Sequence, residues 1–202
     1  MLNYTTIFLF FCFGVSFAQD TLNVHFLYGS RPAWKFRDEE VTWFGGKWGS
    51  HVGVEGEKDQ IVNFLPRGKF HLFAKKNNRH SMFASIKEKS FYALFGGEPD
   101  SMKKAVFHIP VTPFQKHCFD SITAAYLANS PYDYAFVGMR CGAAGYDILS
   151  QLDILTKYSY RKTYRRIFYP RRLRKRLFRK AREKGWKVET REGTARRKWE
   201  RN

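Results

Sequence analysis

The sequence predicts an α+β fold: a small antiparallel sheet packed on helices, with a basic C-terminal helix plus hairpin as an appendage. Three observations carry that expectation. The first half alternates short β-rich segments with turn residues, residues 112–155 hold two runs at helical spacing, and the charge changes abruptly near Lys157. Antiparallel strands followed by helices are the α+β pattern, and 202 residues suffice for one core and an attached piece. The expected organisation is a leader at 1–18, a body at 19–156 and a basic module at 157–202.

The leader reads TTIFLFFCFGVSFA, an apolar run too short to span a bilayer and followed by polar sequence. Ser16 and Ala18 occupy the small-residue positions of a cleavage site, which starts the mature chain at Gln19. The segment before the apolar run carries no Lys or Arg, and bulky Phe11 precedes Cys12, unlike a lipoprotein signal. An exported protein is expected, in the periplasm, the cell envelope or outside the cell. Export leaves Cys118 and Cys141 in an oxidising compartment, where a disulfide between them competes with any thiol chemistry.

Next, TLNVHFLYGS reads as a strand ending in the Gly29-Ser30-Arg31-Pro32 turn. AWKFRDEEVTWFGGKWG is an aromatic, glycine-rich loop whose rings are expected to pack on the body. SHVGVE and QIVNFLP form a hairpin around GEKD, and Pro66-Arg67-Gly68 turns the chain into KFHLF. SMFASI and SFYALF are candidate strands. KAVFHIPVT is another, with Pro110 and Pro113 placing its end at a sheet edge.

TPFQKHCFDSITAAYLANSP has helical spacing, with Phe114, Cys118, Ile122 and Ala125 on one face. YDYAFVGM leads into a second helix opened by Cys141. Its stripe is Ala144, Gly145, Ile148, Leu149, Leu152 and Leu155, and Gly142 and Gly145 allow another backbone close to its first turn. In the tail, Pro170 starts and Gly185 ends RRLRKRLFRKAREK, whose narrow apolar stripe is Leu173, Leu177, Phe178 and Ala181. WKVET and RRKWE flank REGTA as a hairpin anchored by Trp186 and Trp199.

A thiol at a helix N-terminus lies in the positive end of the helix dipole, which favours the nucleophilic thiolate. Cysteine is also a common core residue, and Cys141 lies on the buried stripe. A thiol nucleophile needs an imidazole to take its proton, a polar group to orient that imidazole, and backbone donors for the oxyanion. His51 and Asn63 can supply the first two. With an odd hairpin loop, such as 55–59, His51 stands directly opposite Asn63. An even loop puts Asn63 on the other face. The remaining histidines show no metal spacing, and no Gly-rich phosphate loop is present. Neither a metal nor a cofactor is expected.

The S-H-V-G-V strand, the polar residue twelve positions on and R-C-G-A-A-G-Y-D-I-L opening a helix together resemble the permuted NlpC/P60 papain-like superfamily. That group includes the lecithin:retinol acyltransferase-like proteins and bacterial relatives. The resemblance covers about residues 22–155. It implies a small antiparallel sheet on the cysteine helix, Cys141 as nucleophile and His51 as base. It also implies an acyl-enzyme formed from an amide, peptide or ester, by a hydrolase or an acyltransferase. Arg140 departs from the Asn that many relatives carry before the cysteine. His71 competes with Asn63 for the third position. A member that keeps the fold without the chemistry, binding an anionic polymer, lipid surface or nucleic acid, is the alternative.

Residues 157–202 carry a net charge of +16, against +2 for the rest of the chain. Such a surface suits anionic partners. For an exported protein these are lipid head groups or a cell-envelope polymer, held peripherally rather than by a transmembrane span. Tyr158, Tyr160, Tyr164, Phe168 and Tyr169, interleaved with Arg and Lys, also fit nucleic acid, which the leader disfavours.

Overall fold

Strand alternation sorts the first half of the chain into two cores. The computed structural model describes residues 20–40, 50–75, 80–94 and 99–201. The leader, Cys12 and residues 41–49 of the aromatic loop therefore lie outside the described residues. β1 (Asp20–Leu27) pairs antiparallel with β3 (His51–Glu57) on one side and β7 (Lys104–Val111) on the other. Successive side chains point to opposite faces. Leu22, Val24 and Phe26 enter the larger core, while Leu27 enters a smaller one with Ile61, Phe91, Tyr92 and Met102. β4 (Gln60–Pro66) and β6 (Ser81–Ile86) continue the sheet beyond β3. β9 (Val188–Arg191) completes it beyond β7, so the order of the six strands is β6-β4-β3-β1-β7-β9. All these neighbours are antiparallel. The fold is thus α+β, with a mostly antiparallel sheet packed with helices.

Several local expectations change. SFYALF becomes helix α1 (Glu88–Ala93), with Phe91 and Tyr92 buried on one side. A strand there would send those adjacent rings to opposite faces, whereas one helical turn lets both close the smaller core. β7 is interior along Lys104–Phe107, because β9 covers it there; its Pro110 end runs past β9. Ser30 to Pro32 forms β2 rather than a plain turn, paired with β10 (Arg197–Trp199). Trp34 is 72% exposed beneath the Arg37 guanidinium and does not pack on the body.

α2 (Pro113–Ala128) starts with a capping box in which Thr112 and Gln115 exchange bonds. Its buried residues are Phe119 and Thr123, with Cys118 and Ile122 half-buried beside them, and Phe114 is exposed. The inward face is therefore rotated by one residue from the Phe114–Cys118–Ile122–Ala125 stripe. The cause lies in the partner: Phe119 fills the place beside Gly56, where any Cβ would lie 2.2 Å from its ring.

α3 (Cys141–Gln151) is the central helix, buried over most of its circumference. Every residue of its expected stripe is buried. Gly142 is needed for close approach, since a Cβ would lie 2.8 Å from the Pro170 backbone. Gly145 is different. A Cβ there meets only the side chains of Leu173 and Val52 at ordinary contact distance.

After the short helix α4 (Tyr160–Arg166), Pro170 opens α5 (Pro170–Lys184), and Gly185 closes it in the left-handed region at φ 68°. Its Leu173, Leu177 and Ala181 enter the larger core. WKVET and RRKWE do not pair with each other as a hairpin. β9 joins β7 and β10 joins β2, because each finds a longer-range edge to complete. Arg174 is fully buried, 3.3 Å from Glu200 and 3.7 Å over the Tyr28 ring. Residues 157–202 thus supply two helices, two strands and a buried ion pair to the same body.

Candidate active site

A two-residue turn and one bulge bring the site together. Lys58 and Asp59 close the β3–β4 hairpin, Asp59 at φ 62°, with Glu57 opposite Gln60. A regular ladder from that pair would put Asn63 opposite Val54, on the face away from His51. A register shift between Glu55 and Glu57 adds one residue and restores parity, leaving Asn63 opposite Gly53. His51 and Asn63 therefore share a face, displaced diagonally rather than directly opposite as an odd loop would place them. Gly53 keeps the diagonal open: a Cβ there would lie 2.3 Å from Ile61 and 2.9 Å from Phe91.

His51 Nε2 and Asn63 Oδ1 are 3.0 Å apart, and both residues are buried. Asn63 Nδ2 donates to the Ala84 carbonyl at 3.0 Å, which fixes the amide with its oxygen toward His51. Nε2 therefore carries the proton that Asn63 accepts. The other ring nitrogen, Nδ1, is the one left to exchange a proton with sulfur. Phe91 flanks the ring with centroids 5.4 Å apart, limiting its rotation.

Cys141 opens α3, its sulfur 3.8 Å from the Ser50 carbonyl, immediately before His51. It lies close enough to the His51 ring for each group to shift the ionisation of the other. Burial pushes the thiol up, but the His51 charge, its hydrogen bond, the Arg140 charge and a hydrogen bond from Tyr134 outweigh it and bring the thiol below its ordinary value. For His51, burial pulls the imidazole down, and Cys141 and Asn63 outweigh that to raise it. The two shifts are reciprocal and favour a thiolate facing an imidazolium.

Cys118 and Cys141 are both free thiols. His71 does not approach the dyad's third position. It lies on β5 (His71–Phe73), paired in parallel with β8 (Ala135–Val137), with its ring 4.0 Å from that of His80. Among the described residues, no group of three or more His, Cys, Asp or Glu side chains is arranged to hold a metal ion.

Tyr134 and the setting of Arg140 escaped the sequence reading. After Tyr134 the chain makes a short excursion through β8 and returns, with Ala135 N–H donating to the Met139 carbonyl at 3.2 Å. That return sets the Tyr134 hydroxyl close enough to Cys141 and Arg140 for both to act on its ionisation. Gly138, which allows so tight a return, was the available signal. Aromatic residues just before a helix-opening cysteine are otherwise too common to single one out.

A second polar cluster lies on the His51 face. Glu55 lies 3.0 Å from His25 Nε2 and accepts from Asn23 at 2.6 Å, while His25 Nδ1 meets the Tyr92 hydroxyl at 2.7 Å. The His25 hydrogen bond, acting against burial, holds Glu55 down at about 2.

Comparison of the chain with family models, with curated proteins and with solved structures finds no match. Fold and site together define an α+β protein that carries a buried cysteine beside a buried, hydrogen-bonded histidine–asparagine pair.

Proposed function

We propose that the protein is an exported thiol hydrolase or acyltransferase acting on an amide, peptide or ester. The observation that carries this reading is the chain Cys141–His51–Asn63, with the amide oriented by Ala84 and the imidazole raised while the thiol is lowered. Sulfur attacks the acyl carbon, the first-turn amides of α3 are placed to receive the oxyanion, and the His51 imidazolium protonates the leaving group. Water or a second acceptor then releases the acyl group, with His51 taking its proton. The order of strand histidine before helix cysteine, shared with the permuted NlpC/P60 superfamily, supports the same chemistry.

The tail is proposed to hold the protein at an anionic surface, lipid head groups or an envelope polymer. The apolar stripe of α5 is consumed by the core, which leaves exposed Lys175, Arg179 and Arg182 for an electrostatic contact. No helix among the described residues is long and apolar enough to cross a membrane.

Alkylation mapped by mass spectrometry tests the thiol reading. Cys141 is expected to react much faster than Cys118 and to lose that advantage in His51→Ala. Equal rates at both cysteines in the wild type refute it, and favour a binding module that keeps the fold alone.

A further inference from the structure

Arg140 lends its charge to the Cys141 thiol, but its guanidinium also carries donors that the dyad does not use. Its guanidinium carbon lies 5.1 Å from the ring centroid of Tyr169, 5.3 Å from Phe168 and 5.4 Å from Phe136. Nε and Nη1 are shielded from solvent with no hydrogen-bond partner. None of the ion pairs formed among the described residues includes it. By contrast, buried Arg174 and Arg197 each meet a glutamate. Aromatic faces attract a guanidinium but give its N–H groups nothing to donate to, so a fork with buried orphan donors is costly unless an acceptor arrives. Arg140 is also the residue directly before Cys141, at the start of α3.

We propose that Arg140 recognises the substrate: its fork receives a compact oxyanion, a carboxylate or a phosphate, carried close to the acyl group that Cys141 attacks. Planar guanidinium matches both anions through paired N–H donors. The three rings hold the fork in place and exclude water, which strengthens the contact. This inference rests on the thiol reading above and adds the charge of the substrate to it.

Iodoacetate and iodoacetamide provide the test, since they differ in carrying a carboxylate or a neutral amide. With either, the Cys141 sulfur bonds to the methylene carbon and iodide leaves with the bonding pair. The ratio of the iodoacetate rate to the iodoacetamide rate at Cys141 should fall about tenfold in Arg140→Gln, the loss of one charge-assisted contact. A lower thiolate fraction slows both reagents alike, so the ratio isolates anion recognition from the effect of Arg140 on the thiol. Arg140→Lys should keep part of the preference, and it carries the comparison if Arg140→Gln melts below the assay temperature. Lys89→Gln on the exposed side of α1 should leave the ratio unchanged, which excludes the general positive charge of the chain. Inorganic phosphate should slow iodoacetamide at Cys141 of the wild type and not of Arg140→Gln. A fall in ratio without phosphate protection assigns the fork to carboxylates, and protection without a change in ratio assigns it to phosphate. Neither effect, with labelling still dependent on His51, overturns the anion proposal alone. Labelling of Cys141 that ignores His51, or none at all, overturns the thiol reading and this proposal with it.

Discussion

Asn63 accepts from His51 at 3.0 Å while standing opposite Gly53, two residues along the partner strand. The bond is diagonal, and the bulge between Glu55 and Glu57 makes it. Asn63→Leu removes the acceptor and frees the ring to turn. Cys141 alkylation should slow about tenfold at neutral pH, in keeping with the loss of a group that fixes a general base. Asn63→Asp, which still accepts from Nε2, should restore most of the rate. Equal rates in both variants would show that the amide does not position the imidazole.

Reciprocal shifts of Cys141 and His51 set the pH dependence of the thiol. With the thiol lowered by His51 and Arg140, alkylation should persist at pH values where a small-molecule thiol has become unreactive. In His51→Ala the burial that opposes ionisation is no longer offset by the imidazolium, so the rate profile should move to higher pH. The profile, measured by quenched labelling from about pH 5 to 10, a range that brackets the ordinary cysteine value of about 8.5, decides it. An unmoved profile removes His51 as the partner.

Gly56 stands where a Cβ would lie 2.2 Å from Phe119, within the bulge. Gly56→Ala should destabilise the protein by about 2 kcal/mol through overpacking. It should also lower Cys141 reactivity, because relief of the clash requires the bulge that aligns Asn63 to shift. Gly145→Ala, with only ordinary side-chain contacts around it, should leave both nearly unchanged. Urea unfolding alongside the labelling assay separates the two effects.

Arg174 and Glu200 are both buried and form an ion pair at 3.3 Å. Glu200→Ala leaves the guanidinium without its counter-charge and should cost about 3 kcal/mol or more. The double replacement Arg174→Met with Glu200→Leu should recover much of that loss. A double replacement as unstable as the single one would mean that the pair stabilises more than its desolvation costs.

Glu55 titrates at about 2 in the folded chain because His25 and Asn23 bond its carboxylate, well below its ordinary 4.5. A depressed acid adds stability above its unfolded value and loses it as pH falls toward the folded one. Part of the acid destabilisation between about pH 4.5 and 2 should therefore disappear in Glu55→Gln. Urea midpoints of both proteins across that window provide the measurement. Parallel acid limbs would place the lost stability elsewhere.

The sequence by itself determined what is local. Alternation marked β1, β3, β4, β6 and β7, proline and glycine bounded α5, and the spacing after Cys141 marked a buried helix. A helix-opening cysteine and a strand histidine were legible for the same reason, since dipole and strand alternation act over a few residues. Only the tertiary structure decided the rest. The Gly56 bulge brought Asn63 onto the His51 face, a choice that one residue of register reverses. SFYALF became a helix because Phe91 and Tyr92 had to enter one core together, and the edges of β7 and β2 drew the tail strands away from each other. Tyr134 and the rings around Arg140 gather at the site through a chain reversal and through α5 docking, contacts between residues far apart in the chain. Burial and charge at Cys141 are sums over such contacts, so the thiolate–imidazolium pairing followed from packing rather than from spacing.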